Sequence, residues 1–249
     1  MYYQEVGIDK VYQKVLALTN KEQRGYITPQ EFNLLADKAQ NEIFENYFHD
    51  IKTAQMKPKT QTDYSDIIES VEERLTQFIK VNESLGGTPS SSSTFGMQTD
   101  IYKIISIEYN GKKAEQLNNS EITYTQSNPL TAATLDRPVW VRTQPTTSGQ
   151  AGTLYSPRIA VYPIPSTTNP VVIKTTYYCK PTTPKWGYVV VKGRALYNSG
   201  ATTNFMLHVA EEENLVSRIL QSSGVVIQKP DIQQAAAVDK QTTVQEQNN

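Results

Sequence analysis

The stretch N-K-E-Q-R-G-Y-I-T-P-Q-E-F, residues 20–32, comes nearest in this chain to a ligand-binding pattern. Counted from Asn20, Gly25 stands at position six, Ile27 at eight and Glu31 at twelve, which is the spacing of a calcium-binding EF-hand loop. The pattern breaks where charge matters. Position five is Arg24, a guanidinium where a carboxylate or amide oxygen should face the ion, and Pro29 falls at position ten. The same residues read better as a helix start. Thr28 is an N-cap, Pro29 takes the first helical position where its missing N–H costs nothing, and Glu31 three residues on completes a capping box. Ile27 and Phe32 bracket it as a hydrophobic staple. Calcium is not expected.

Other residues with chemical potential are scattered. Glu211, Glu212 and Glu213, with Glu108 or Asp136, would offer the acid and base of glycoside hydrolysis. A triplet at a helix start, however, is where the helix dipole favours surface carboxylates. Ser, His and Asp all occur, but no G-x-S-x-G frames a serine as a nucleophile. Cys179 is the single cysteine, and His49 and His208 lie far apart, so neither a disulfide framework nor a zinc or iron site is expected. Tyr177, Tyr178, Trp186 and Tyr188 form an aromatic group of the kind that stacks sugar rings, although aromatics that fill the inside of a sheet are the commoner case. No catalytic residue, metal or cofactor emerges.

The chain has 249 residues, enough for two compact units or one domain with a large insertion. Tyrosine dominates the aromatics, 15 against 6 Phe and 2 Trp, and 24 Lys and Arg nearly balance 25 Asp and Glu. A net charge of −1 without a basic run gives little counterion-release drive, so contact with DNA is expected to be incidental. The N-terminus lacks the basic and apolar regions of a leader, and no apolar run reaches the roughly 20 residues a membrane helix requires. These features predict a soluble protein made in a cytoplasm.

The elements follow from periodicity. Ile8, Val11, Tyr12, Val15, Leu16 and Leu18 recur at helical spacing and end before Gly25. A second helix runs from Pro29 with Phe32, Leu35, Ala36, Ala39, Ile43, Tyr47 and Ile51 on one face. After a break near Pro58, a third carries Tyr64, Ile67, Ile68, Val71, Leu75, Phe78 and Ile79 opposite Glu69, Glu72, Glu73 and Arg74. Residues 85–97 read as a Gly- and Ser-rich linker. Beyond it, strands are expected at 101–109, 139–143, 158–162, 171–178 and 188–192, with prolines between them and a type I′ turn at Asn110-Gly111. Residues 120–135 read as irregular. A fourth helix is expected over 204–227, with Phe205, Leu207, Val209, Leu215, Val216, Ile219 and Leu220 apolar and Gly224 as its stop.

The fold expected is therefore α+β: a bundle of three N-terminal helices (1–84) and one C-terminal helix (204–227), an inserted antiparallel β domain (98–203), and an extended tail (228–249). The tail is too polar to fold alone. Its sparse anchors, Lys229, Pro230, Asp231, Ile232, Ala235, Ala236, Ala237 and Val238, are expected to contact a partner by strand addition or as a short docked helix.

Several strings, in their order and spacing, carry a resemblance across most of the chain. They are R-G-Y-I-T-P-Q-E-F (24–32), N-P-L-T (128–131), R-P-V (137–139), Y-Y-C-K-P-T-T-P-K-W-G-Y (177–188), N-F-M-L-H-V-A-E-E-E-N-L-V (204–216) and K-P-D (229–231). With them the chain resembles the head-to-tail ring, or adaptor, proteins of crAss-like short-tailed bacteriophages. The resemblance implies a non-enzymatic structural protein of the virion, a dodecameric ring below the portal that joins head to tail. Its partners would be further copies of itself, the portal and other ring or tail proteins, without membrane and with only incidental contact to genomic DNA. The alternative expectation is a carbohydrate-binding β-sandwich module on a helical stalk, part of a phage tail or host-recognition structure.

Overall fold

The computed structural model describes residues 5–21, 27–56, 63–85, 94–147, 155–165 and 172–226. In chain order the elements are β1 (Glu5–Val6), α1 (Ile8–Lys21), α2 (Pro29–Met56), α3 (Asp63–Thr76), β2 (Ile79–Ser84), β3 (Thr94–Gly96), β4 (Ile101–Tyr109) and β5 (Lys112–Gln116). There follow α4 (Asn119–Ser127), β6 (Val139–Thr147), β7 (Tyr155–Tyr162), β8 (Ile173–Cys179), β9 (Tyr188–Val191), β10 (Arg194–Tyr197), β11 (Phe205–His208) and α5 (Glu212–Val226). The protein is α+β and divides into two compact units, Met1–Gln77 with Pro181–Asn249, and Phe78–Lys180.

In the first unit, α5 packs on α1 and α2, and α3 packs on α2. Their apolar stripes supply the core, with Val11, Tyr12 and Val15 from α1, Phe32, Ala36, Ala39, Ile43, Phe44 and Tyr47 from α2, and Leu215, Val216 and Ile219 from α5 all buried. The start of α2 is built as its sequence dictates. The Thr28 N–H donates to Glu31 Oε2 at 2.9 Å and the Glu31 N–H donates to Thr28 Oγ1 at 3.3 Å, while Ile27 and Phe32 are both buried beside the cap. The Thr28 N–H and, at 2.8 Å, the Thr28 hydroxyl both donate to the Glu31 carboxylate and hold it below its ordinary pKa.

The C-terminal helix starts later than expected. Residues 205–208 alternate, Phe205 and Leu207 inward and Met206 and His208 half-buried, and this period of two forms β11, antiparallel to β1. His208 Nδ1 then accepts the Ala210 N–H at 3.2 Å and caps a 3-10 turn, Val209–Glu211, from which α5 leaves.

The second unit is a seven-stranded sheet in the order β2-β8-β4-β5-β6-β7-β3. Its core comprises Leu85, Phe95, Met97, Ile107, Tyr109, Ala114, Trp140, Ile159, Val161 and Ile173. The sheet is mixed, not purely antiparallel as expected. β5 runs parallel to β6, with Glu115 opposite Val139, because a crossover separates them. That crossover contains α4, in the segment expected to be irregular. Its helix start was legible in principle, since Glu121 accepts the Asn118 N–H at 3.1 Å in a second capping box. The Asn110-Gly111 turn has φ of 50° and 78°, the two left-handed positions that a type I′ hairpin needs.

The unit begins and ends earlier than 98 and 203. Ile79 to Ser84 leaves the helical pattern to pair with β8, and Thr94 to Gly96, within the expected linker, is a strand paired with β7. Residues 188–197, placed in the β domain by their composition, belong to the helical unit instead.

Candidate interaction surface

The expected tail contacts, Lys229, Pro230, Asp231, Ile232, Ala235, Ala236, Ala237 and Val238, lie outside the described residues. So do positions three to seven of the calcium-like loop, and its twelfth residue, Glu31, is engaged in capping. Among the described residues no group of three His, Cys, Asp or Glu could hold a metal ion.

The acidic triplet is not the surface feature it was taken for. Glu211 is 4% exposed, pairs with Arg74 at 2.7 Å and accepts from Asn214 Nδ2 at 2.8 Å. Glu212 is also buried and pairs with Lys10 at 2.8 Å and Lys14 at 2.7 Å. Burial alone would raise the Glu212 pKa, but its bonds to Lys10 and Lys14 outweigh that and hold the carboxyl below its ordinary value. Only Glu213 is exposed, and it too pairs with Lys14. Glu108 and Asp136 belong to the other unit, where Asp136 pairs with Lys112. The triplet's own carboxylates tie the start of α5 to α1 and α3. His49 is exposed on α2 near Asp50, and Cys179 is a buried thiol whose pKa burial pushes up.

The aromatic group is divided as well. Tyr177 is buried in the second unit, where its hydroxyl donates to Asp100 at 3.2 Å and burial, with that carboxylate, pushes its pKa up to about 12. Trp186 and Tyr188 belong to the first. There Trp186, 5% exposed, is an anchor rather than a platform. Its ring lies 4.4 Å from Tyr12, which itself lies 4.6 Å from Phe32, and it also stacks on Tyr188 at 5.8 Å and meets Tyr197 at 5.8 Å. The indole N–H donates to Asp9 at 2.9 Å.

Two amides of α2 clamp the backbone around this anchor. Asn33 accepts the Trp186 N–H at 2.8 Å and donates to the Trp186 carbonyl at 3.3 Å. Two turns along the same face, the fully buried Gln40 donates to the Thr182 carbonyl at 2.8 Å and accepts the Met206 N–H at 2.9 Å. Helical periodicity singled out neither residue. A polar side chain that satisfies a distant backbone leaves no local signal.

What the anchor holds is a two-stranded ribbon, β9 and β10, joined by Lys192-Gly193 with φ of 50° and 78°. Pairing of Val189 with Leu196 and of Val191 with Arg194 puts these four on one face; Tyr188, Val190, Ala195 and Tyr197 form the other. Both faces reach solvent, with Val190 at 62% and Leu196 at 53% exposure, and Val189, Val191 and Tyr197 also exposed. A two-stranded ribbon has no core of its own and is marginal in water. Full burial of one Val or Leu is worth roughly 1.5 to 3 kcal/mol, so covering four half-exposed ones would contribute roughly 3 to 6 kcal/mol before association costs.

Charge is distributed unevenly along the sequence that contains this ribbon. Residues 137–210 contain no Asp or Glu and eight cations, Arg137, Arg142, Arg158, Lys174, Lys180, Lys185, Lys192 and Arg194, so all 25 acidic residues fall outside them. The near-zero net charge conceals this segregation. None of the eight makes an ion pair among the described residues, whereas Lys10, Lys14, Arg74, Lys80, Lys112 and Arg218 all do.

The sequence matches no protein-family model and no curated protein. Among the described residues, no helix is long and apolar enough to cross a membrane.

Proposed function

We propose that the protein is a non-enzymatic structural subunit that assembles with copies of itself into a ring, in the head-to-tail connector of a short-tailed phage. The observation that supports this best is the β9–β10 ribbon: apolar on both faces, exposed, and fixed at its base by an aromatic stack and by two amides of α2, the buried one being Gln40. A stiffly held apolar projection suits a permanent protein interface, since little ordering entropy remains to be lost on docking. Contact between a projection and a different surface of the next copy is heterologous and closes into a ring when the rotation allows. The phage setting rests on the resemblance of the sequence strings. In this reading the segment 228–249 is the arm that reaches the portal, through the anchors from Lys229 to Val238.

Native mass spectrometry of the full chain across concentration, with and without a portal protein from a short-tailed phage, tests the reading. A closed oligomer of one size is the expected result, formed alone or on the portal. A protein that stays monomeric in both conditions and binds sugars on a glycan array would overturn it in favour of the carbohydrate-binding alternative.

A further inference from the structure

We infer that the β9–β10 ribbon of one copy docks on helix α3 of the next, with Lys192 and Arg194 at its tip facing Glu69, Glu72 and Glu73. The inference rests on the self-assembly reading above and names the surfaces that meet within it.

The donor side is set by the ribbon's own chemistry. Lys192 and Arg194 flank Gly193 at the turn, both exposed and neither ion-paired among the described residues. No carboxylate lies within the acid-free stretch to neutralise them, so the ribbon presents aliphatic flanks and a purely cationic tip. An apolar body with charged ends is the composition of a protein-docking element. Nucleic acid would meet the cations but gain nothing from the valines.

The acceptor side is α3. Val71 and Leu75 point into the core, and Arg74, the only cation in the last turn, is occupied by Glu211. Glu69, Glu72 and Glu73 therefore occupy the outer face at three- and four-residue spacing, all exposed and none ion-paired among the described residues. Like charges at these separations destabilise a helix on its own. Two cations brought by a neighbour would remove that repulsion, and complementary charge would also fix the register of the contact. Donor and acceptor belong to the same compact unit, so every copy carries one of each, and the pairing is head-to-tail.

The test uses the full chain as an equal mixture of ordinary and nitrogen-15-labelled protein, treated at high concentration with a zero-length carbodiimide that joins lysine to carboxylate. Isotopically mixed links between Lys192 and Glu69, Glu72 or Glu73 are expected. K192E with R194E, and separately E72K with E73K, should each weaken self-association by about tenfold or more, and a chain carrying all four changes should regain it. All four substituted side chains are exposed, so circular dichroism melts should match the wild type. If copies link and assemble through other residues, or the fourfold variant is not restored, the docking inference fails while self-assembly stands. If no link between copies forms at any concentration, both fail. If wild-type protein is retained on duplex DNA at physiological salt and K192E with R194E abolishes that, the cations serve nucleic acid and the inference is wrong.

Discussion

Glu212 shows how one side chain can set the acid limit of the helical unit. Its carboxylate joins Lys10 and Lys14 on α1 to the start of α5, and these bonds hold its folded pKa below the ordinary 4.5 although burial alone would raise it. With the folded pKa depressed, the stabilisation is complete above 4.5 and is lost as pH falls below 4.5 and through the folded value. Urea unfolding between about pH 3 and pH 6 should show stability dropping at the acid end in the wild type. In Glu212→Gln the drop should be smaller, with the variant already weaker at pH 6; an identical pH profile in both would show that the pair contributes nothing. The residue's role was not legible in sequence. Three glutamates at a helix start look alike, and only the approach of Lys10, Lys14 and Arg74 separates two buried, paired carboxylates from an exposed one. Thr28 and Glu31 were legible because their partners are each other, three residues apart.

Among elements, local instruction again separates what could be read from what could not. The Asn110-Gly111 hairpin turn, the start of α2 and the strands β4, β6, β7, β8 and β9 follow from turn chemistry and alternation within a few residues. β2 and β11 were read as helix because their apolar residues also fit a helical stripe, and their pairing partners lie far away in sequence. The ribbon's second strand was missed because Lys192-Gly193 lacks the asparagine that advertises a type I′ turn. Its base depends on one glycine. A Cβ at Gly187 would lie 2.6 Å from the carbonyl carbon and oxygen of Ala201 and 2.8 Å from the carbonyl oxygen of Asn198, all backbone atoms. These atoms belong to the turn whose Asn198 N–H donates to the Gly187 carbonyl at 2.8 Å, so they cannot retreat without opening it. Gly187→Ala should therefore accelerate amide hydrogen exchange in β9 and β10 and weaken self-assembly, while α1, α2 and α5 keep their protection. Unchanged exchange in the ribbon would show that the turn yields at no cost.

At the scale of the whole molecule, the insertion of a β unit into a helical one was visible as a change of composition near residue 98 and a return of helical spacing after 204. The true ends were hidden, because what defines them is a pairing across the unit. β2 enters beside β8, the strand by which the chain leaves, with Ile79 opposite Tyr178. The Cys179 N–H donates to the Phe78 carbonyl at 2.8 Å, so entry and exit lie on neighbouring strands, about 5 Å apart. A unit with adjacent ends, its own ten-residue core and one continuous sequence needs nothing from the rest of the chain to close its topology. Residues 78–180 expressed alone should fold and unfold in one cooperative urea transition, with near-ultraviolet circular dichroism from the buried Trp140. The helical unit should survive the reciprocal cut. The same pairing brings the chain's exit and re-entry points close together, so residues 1–77 joined to 181–249 by a short glycine-serine bridge should retain a helical melt. They should also retain self-assembly, since the ribbon and α3 both lie in that unit. A β fragment that binds hydrophobic dye and melts without a transition would show that the sheet relies on the helices. Loss of assembly by a well-folded helical fragment would move the interface to the β unit.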